Sequence, residues 1–179
     1  MRFGAIILSI FFASSAFAET VIRLPRENLP VGTVLIYEGV RGIQKRRITV
    51  NNDQRIVIEV LEANDDERVS LTLVFDGQGL AKEAVYPSGL KLIYEPHNCF
   101  RVIGDCNYDF IHPNGNVYKR KYRSEFVDGV LTGQKVDESG FVLETFKMTF
   151  SSDGMLESYL YRRPTSAEGV TKLISVIDP

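Results

Sequence analysis

Two cysteines and two histidines lie close together in the middle of the chain. Cys99 and Cys106 are its only cysteines, and His97 and His112 flank them. An even number of cysteines in an exported protein favours a disulfide. A His/Cys cluster can also bind zinc or copper, but the order H-x-C-x6-C-x5-H matches none of the usual ligand spacings. The sequence therefore predicts a Cys99–Cys106 disulfide, no metal site and no cofactor.

The two histidines are candidates for contact with a ligand. A histidine side chain can accept or donate a proton near neutral pH, so His97 and His112 could each bind a ligand or take an acid–base role. The simpler interpretation is that both are polar loop residues packed beside the disulfide. We treat them as candidate ligand-binding residues.

A basic, tyrosine-rich segment, 117–123, is the best candidate for a binding surface. In a strand, alternation places Tyr118, Arg120 and Tyr122 on one face and the intervening cations on the other. Arginine gives forked hydrogen bonds to an anion, and tyrosine gives a flat apolar surface. The alternative is an edge or solvent-facing strand whose charges prevent sheet-to-sheet pairing.

Two smaller basic clusters occur elsewhere, at 45–47 and 162–163. If these clusters converge on segment 117–123, an anionic partner such as a lipid head group or a polyanionic glycan becomes credible. If they scatter, they are solvated surface charges. Lys and Arg number 21 against 23 Asp and Glu, for a formal charge of −2. That balance argues against nucleic acid as a partner.

No local motif identifies an enzyme. The chain lacks the G-x-S-x-G elbow, the P-loop and the H-E-x-x-H helix. Ser88-Gly-Leu-Lys91 matches S-x-x-K, but it lies on a predicted turn rather than at a helix start. A hydrolase with a dispersed site stays open as an alternative, and the sequence as a whole favours a non-catalytic protein with no assigned catalytic residue.

The first 18 residues have the pattern of a secretory signal peptide. Arg2 precedes the apolar run 4–12, and Ala16-Phe17-Ala18 fits the small-x-small cleavage pattern. The apolar run is too short to span a bilayer, and no later segment is apolar enough to do so. We expect cleavage after residue 18 and a periplasmic location, with full secretion as the alternative, and a single β domain over 19–179.

Short alternating segments separated by turn signals fill the rest of the chain. The run 68–75 alternates apolar and polar residues, and so does 141–150, where Glu144 falls on the face of Val142, Phe146 and Met148. Glycine with Asp, Asn or Ser recurs at turns about 8–14 residues apart. The pattern predicts an all-β antiparallel meander of about 11–12 strands with little helix, forming a curved sheet, an open barrel or a sandwich.

Three functions are compatible with this fold. The first is a binding protein that holds an apolar, amphipathic or anionic ligand, or a partner protein, on a concave sheet. The second is an envelope scaffold that makes contacts through an exposed sheet edge. The third is the hydrolase. An apolar pocket above about 300 Å³ favours the first, and a filled interior with a bare edge strand favours the second.

Overall fold

Twelve antiparallel strands make up the computed structural model, which describes residues 22–63, 65–94, 99 and 101–179. The strands are β1 Val34–Gly39, β2 Gly42–Asn51, β3 Arg55–Glu62, β4 Asp65–Asp76, β5 Ala81–Val85, β6 Lys91–Ile93, β7 Gly104–Ile111, β8 Val117–Val127, β9 Val130–Asp137, β10 Val142–Phe150, β11 Leu156–Arg162 and β12 Gly169–Ile177. A short 3-10 helix, Arg26–Asn28, is the only helical segment among the described residues. The predicted all-β meander with little helix is confirmed.

The sheet closes into a barrel. Each strand pairs with its neighbours in sequence, and β1 also pairs with β12, from Val34 opposite Ile177 to Gly39 opposite Thr171. Closure removes the exposed edges that an open sheet would leave at its first and last strands. The sequence left a curved sheet, an open barrel and a sandwich as alternatives. The structure is a barrel, and its sheet is closed rather than open.

Alternation decides which side chains enter the barrel. In β10, Glu144, Phe146 and Met148 are buried, whereas Thr145 and Lys147 between them are exposed. Successive strand residues point to opposite faces of a sheet, and here one face is the lumen. The period-2 pattern of the sequence is therefore a pattern of lumen and outer surface.

Turn chemistry fixes the hairpins. At the β9–β10 turn the carboxylate of Asp137 accepts hydrogen bonds from the backbone N–H groups of Ser139 and Phe141, each 2.9 Å long. Gly140 between them has φ = 87°, which glycine adopts without steric cost. The β4–β5 turn, Asp76 to Gly79, has the same Asp-x-x-Gly spacing, which is one form of the polar-residue-and-glycine signal at the turns.

The segment before β1, residues 22–33, closes one end of the barrel. We call this segment the lead-in and this end of the barrel the floor. Leu24 and Leu29 are buried there, and the Leu24 N–H donates to the carbonyl of Gly79 in the β4–β5 turn. The Asn51 side-chain amide donates to the carbonyls of Arg26 and Leu29, at 2.9 and 2.7 Å. The lead-in is thus tied to the hairpins of the floor rather than merely lying on them.

The connection between β6 and β7 also lies at the floor and carries the disulfide. Cys99 and Cys106 are bonded, with their Cα atoms 5.1 Å apart, so the predicted pairing is confirmed. The carbonyl of Arg101, inside this loop, accepts a hydrogen bond from the Ile22 N–H at 3.2 Å. The loop and the lead-in therefore support each other.

Within the described ranges, no helix is both long enough and apolar enough to cross a bilayer.

Leu29 tests the importance of the floor. Its side chain is fully buried, so Leu29→Ala should lower the free energy of unfolding by about 2–5 kcal/mol through lost burial and a residual cavity. Val31→Ala, two residues away and 53% exposed, should change it by less than about 0.5 kcal/mol. Urea denaturation measures the free energy of unfolding of both variants. If Leu29→Ala loses as little as Val31→Ala, burial of Leu29 in the lead-in does not stabilise the barrel.

The disulfide should stabilise the protein modestly. Its cysteines are seven positions apart, and the chain-entropy model gives about 2.5 kcal/mol for so short a loop. We expect the double variant Cys99→Ala/Cys106→Ala to lose about this much in urea denaturation. A reducing agent should destabilise the original protein and leave the double variant unchanged. If the reducing agent destabilises both proteins, its effect does not come from the Cys99–Cys106 disulfide.

Candidate functional site

The barrel encloses a cavity of about 430 Å³. It extends from Leu24 and Met155 at the floor to Arg41, Tyr86 and Arg163 at the opposite end. We call that end the mouth, because the β1–β2, β5–β6 and β11–β12 connections meet there as successive strands reverse direction. The volume lies within the range of about 300–1,000 Å³ that ligand pockets occupy.

One side of the cavity is apolar. Consecutive strands β3 to β6 supply this apolar wall, which consists of Ile58, Val60, Leu71, Leu73, Ala84 and Leu92. Ile58 lies opposite Leu73, and Val60 opposite Leu71, so their side chains form a continuous cross-strand layer. A hydrocarbon group placed against this wall would be removed from water.

The other side is polar and aromatic. Strands β1, β2 and β8 to β11 supply this polar wall, which consists of Tyr37, Gln44, Arg46, Tyr122, Lys135, Glu144, Tyr159 and Tyr161. Six of the eight tyrosines of the chain line the cavity. Tyr122 also packs against Tyr108, with ring centroids 4.8 Å apart, and against Phe146 at 5.8 Å. The aromatic packing fixes this wall in position.

Glu144 organises the upper part of the polar wall. Its carboxylate lies 2.5 Å from the Lys135 ammonium and accepts a hydrogen bond from Arg163 Nε at 3.0 Å and another from the Tyr159 hydroxyl. The Lys135 ammonium also donates to the Tyr159 oxygen at 3.2 Å and lies 5.4 Å from the Tyr122 ring centroid. We call these four residues, Lys135, Glu144, Tyr159 and Arg163, the Glu144 cluster.

The Glu144 cluster is charged at neutral pH. Burial disfavours both charges, but Lys135 opposes this effect at Glu144 and leaves the pKa of that carboxyl below its usual value. At Lys135 burial is likewise outweighed, by Tyr159 and then Glu144, and the pKa of the ammonium is raised. Because Lys135 stays protonated, it is a poor nucleophile and serves as a fixed positive charge.

A second cationic group lies lower in the cavity. The Arg46 guanidinium stacks on the Tyr37 ring, with Cζ 3.9 Å from the ring centroid, and both its Nε and Nη2 lie 3.3 Å from Gln44 Oε1. The Tyr37 hydroxyl donates to the Leu156 carbonyl at 3.0 Å, which holds the ring in place. Burial lowers the pKa of Arg46, and the neighbouring tyrosines partly offset this.

Arg101 is the deepest cation. It is 3% exposed, and its Nη1 donates to the Gly154 carbonyl of the β10–β11 turn at 3.0 Å. Its Nε is buried and has no hydrogen-bond partner among the described residues, and Cζ lies 5.2 Å from the Phe150 ring centroid. Burial lowers the pKa of Arg101 to about 10, with a further lowering from the charge of Arg46.

The described cavity lining is cationic overall. Two carboxylates, those of Glu83 and Glu144, line the cavity. Five cationic side chains line it as well: Arg41, Arg46, Arg101, Lys135 and Arg163. Such a lumen has a positive potential that attracts anions.

The predicted Tyr–Arg–Tyr face is divided by the structure. Tyr118, Arg120 and Tyr122 lie opposite Phe110, Tyr108 and Cys106 of β7. Tyr122 is 1% exposed and lines the cavity. Arg120 lies over the Phe110 ring, with Cζ 3.6 Å from its centroid, and Tyr118 is 48% exposed. The structure therefore brings Tyr122 to the cavity and leaves the other two outside its lining.

The three basic segments converge in part. Arg46 from one cluster and Arg163 from another line the cavity together with Tyr122. Their neighbours lie outside: Lys119, for example, pairs with Asp109 at 2.6 Å.

The histidines do not meet at this site. His112 is exposed in the β7–β8 turn, where its backbone N–H donates to the Asn116 carbonyl at 2.8 Å. His97 lies outside the described residues. Within the described part of the chain, no group of three or more His, Cys, Asp or Glu side chains is arranged to hold a metal ion.

Sequence reasoning missed most of the cavity lining. Lys135, Tyr159 and Arg101 were not singled out, and neither was the position of Tyr37. A signal did exist in Glu144, which falls on the apolar face of its strand, and in tyrosines that recur on apolar faces.

Glu144 should stabilise the barrel in a pH-dependent way. Glu144→Gln leaves the buried Lys135 ammonium without its carboxylate and should cost roughly 3 kcal/mol at about pH 7. Because folding lowers the pKa of Glu144, its contribution is complete above the ordinary glutamate pKa and is lost as the pH falls through the lowered value.

Urea denaturation at about pH 7 and about pH 3 measures this contribution. The difference between the original protein and Glu144→Gln should narrow at the lower pH. Glu157→Gln, an exposed carboxylate on β11, is the control and should have little effect at either pH. A difference of equal size at both pH values would contradict the assignment.

Comparison with known proteins assigns no family to this cavity. No protein-family model matches the chain, and no curated protein matches it.

Proposed function

We propose that the chain is an exported binding protein that holds a small amphipathic molecule inside its barrel. The observation that carries this proposal is the cavity of about 430 Å³ with an apolar wall facing a polar one. Ligand sites are concave and mostly apolar, with a few fixed polar groups that orient the ligand.

The closed sheet supports binding inside the barrel over binding at an edge. β1 and β12, which would be the edges of an open meander, are paired with each other over six residue pairs. Strand addition needs a row of unpaired backbone groups, which this pairing occupies. The scaffold alternative therefore lacks the bare edge strand that would have favoured it.

The polar wall supports binding over catalysis. The Glu144 carboxylate is already paired with both Lys135 and Arg163, which suits a fixed electrostatic environment better than proton transfer. The described residues that line the cavity include Ser70 but neither histidine nor cysteine, so a Ser–His pair is not present there.

Export is part of the proposal. Residues 1–18 have the signal-peptide pattern, and the Cys99–Cys106 disulfide is typical of an oxidising compartment. We favour the periplasm, with secretion as the alternative.

Filling the lumen should abolish binding. Leu71→Trp projects a larger side chain from the apolar wall, whereas Thr72→Trp places the same side chain on the outer surface of β4. With the neutral fluorescent probe N-phenyl-1-naphthylamine, we expect Leu71→Trp to weaken the Kd at least about tenfold and Thr72→Trp to leave it unchanged.

Fluorescence titration of the purified, disulfide-bonded protein measures these affinities. Circular dichroism of each variant confirms that the barrel is retained. No binding by the original protein, or equal binding by both variants, would contradict the proposal.

A further inference from the structure

Away from the mouth, two guanidinium groups in the cavity have no carboxylate partner among the described residues. The described ion pairs connect Lys135 and Arg163 to Glu144, but none includes Arg46 or Arg101. The upper part of the polar wall therefore carries its own counterion, and the lower part does not. Charges removed from water are normally paired, because an unpaired buried charge is costly.

The contacts of Arg101 leave donors unused. The residue is 3% exposed, its Nε meets no partner in the part of the chain that the structure describes, and its described hydrogen bond runs from Nη1 to the Gly154 carbonyl. A guanidinium carries more N–H donors than this single bond uses. The Phe150 ring makes a cation–π contact with the guanidinium, but it does not replace a hydrogen-bond acceptor for the remaining N–H groups.

Arg46 is held in a similar state. Its Nε and Nη2 share one neutral acceptor, Gln44 Oε1, and its flat face covers Tyr37. The stacking and the shared amide fix the direction of the group without neutralising it. Arginine held in this way is preorganised for the forked hydrogen bonds that a carboxylate or phosphate accepts.

Arg46 and Arg101 both line the cavity, and both carry a positive charge. The positive charge of Arg46 is among the causes that lower the pKa of Arg101, after burial, and the resulting value of about 10 still leaves Arg101 charged at neutral pH. Two like charges therefore share the deep part of the lumen. An anion placed between them would relieve both the repulsion and the missing hydrogen bonds.

We propose that the ligand of the cavity carries an anionic head group, a carboxylate or a phosphate, which Arg46 and Arg101 bind beside Tyr37 at the deep end. The apolar tail lies along the apolar wall, against Leu71 and Leu73, and points toward the mouth. This inference rests on the proposed function and names the class of molecule that the barrel holds.

The test compares three molecules that share one tail. Decanoate and decyl phosphate carry anionic heads, and 1-decanol carries a neutral one. Isothermal titration calorimetry of the purified, disulfide-bonded protein should show at least one of the anions binding about tenfold or more tighter than decanol. The tighter of the two identifies the head group.

Substitution of the arginines should remove this preference. Arg46→Gln and Arg101→Gln should each weaken binding of the preferred anion about tenfold or more and leave decanol within about twofold. Arg162→Gln removes the same charge from an exposed position next to the cavity-lining Tyr161, and it should leave all three affinities unchanged.

Stability without ligand provides an independent measurement. Because Arg101 is buried and Arg46 is half-buried, and neither is paired with a carboxylate in the described ion pairs, Arg46→Gln and Arg101→Gln should unfold in urea at concentrations equal to or higher than the original protein. Strong destabilisation of both variants would mean that the guanidiniums hold the barrel together, and it would overturn the inference.

The outcomes separate the two proposals. If decanol binds as tightly as both anions, or if the arginine variants keep the preference for the anion, the inference is wrong while binding in the lumen stands. If no decyl compound and no N-phenyl-1-naphthylamine binds, the proposed function itself fails.

Discussion

The hydrogen-bond ladder between β1 and β12 turns a meander into a closed barrel, and the lumen exists because of that closure. A closed twelve-stranded sheet has a fixed circumference, so its interior cannot collapse onto whatever side chains happen to face inward. The lead-in fills the floor with Leu24 and Leu29, and the aromatic packing around Tyr122 fills one side. What these residues leave is the cavity.

The distribution of polarity around the lumen follows from the order of the strands. Neighbours in sequence are neighbours in the barrel, so the apolar residues of β3 to β6 form one continuous arc. The polar and aromatic residues of β8 to β11, with those of β1 and β2, lie on the rest of the circumference. In a fold with crossovers the same residues would be interleaved. A meander therefore converts a change in composition along the chain into a cavity with two chemically different sides, which is what an amphipathic ligand requires.

Local pattern was sufficient to predict the strands, and it was insufficient for the site. The segment predicted over 141–150 is the strand Val142–Phe150, because alternation and turn glycines are local properties of the chain. Closure depends on pairing residues 34–39 with 171–177, which no local pattern specifies. Lys135 resembles a surface residue in the sequence. It enters the lumen because it alternates in phase with the buried Leu131 and lies opposite the buried Glu144 of β10.

Arg101 depends on the disulfide more than on any strand. It lies in the β6–β7 connection, within the ring that the Cys99–Cys106 bond closes, and backbone contacts with Ile22 and a side-chain bond to Gly154 complete its fixation. A free loop would turn so that a buried guanidinium reached water, because solvation of the charge is worth several kcal/mol. A short cross-linked loop has few such alternatives. The disulfide, which contributes little to the size of the core, therefore keeps an otherwise unfavourable positive charge at the deep end of the lumen.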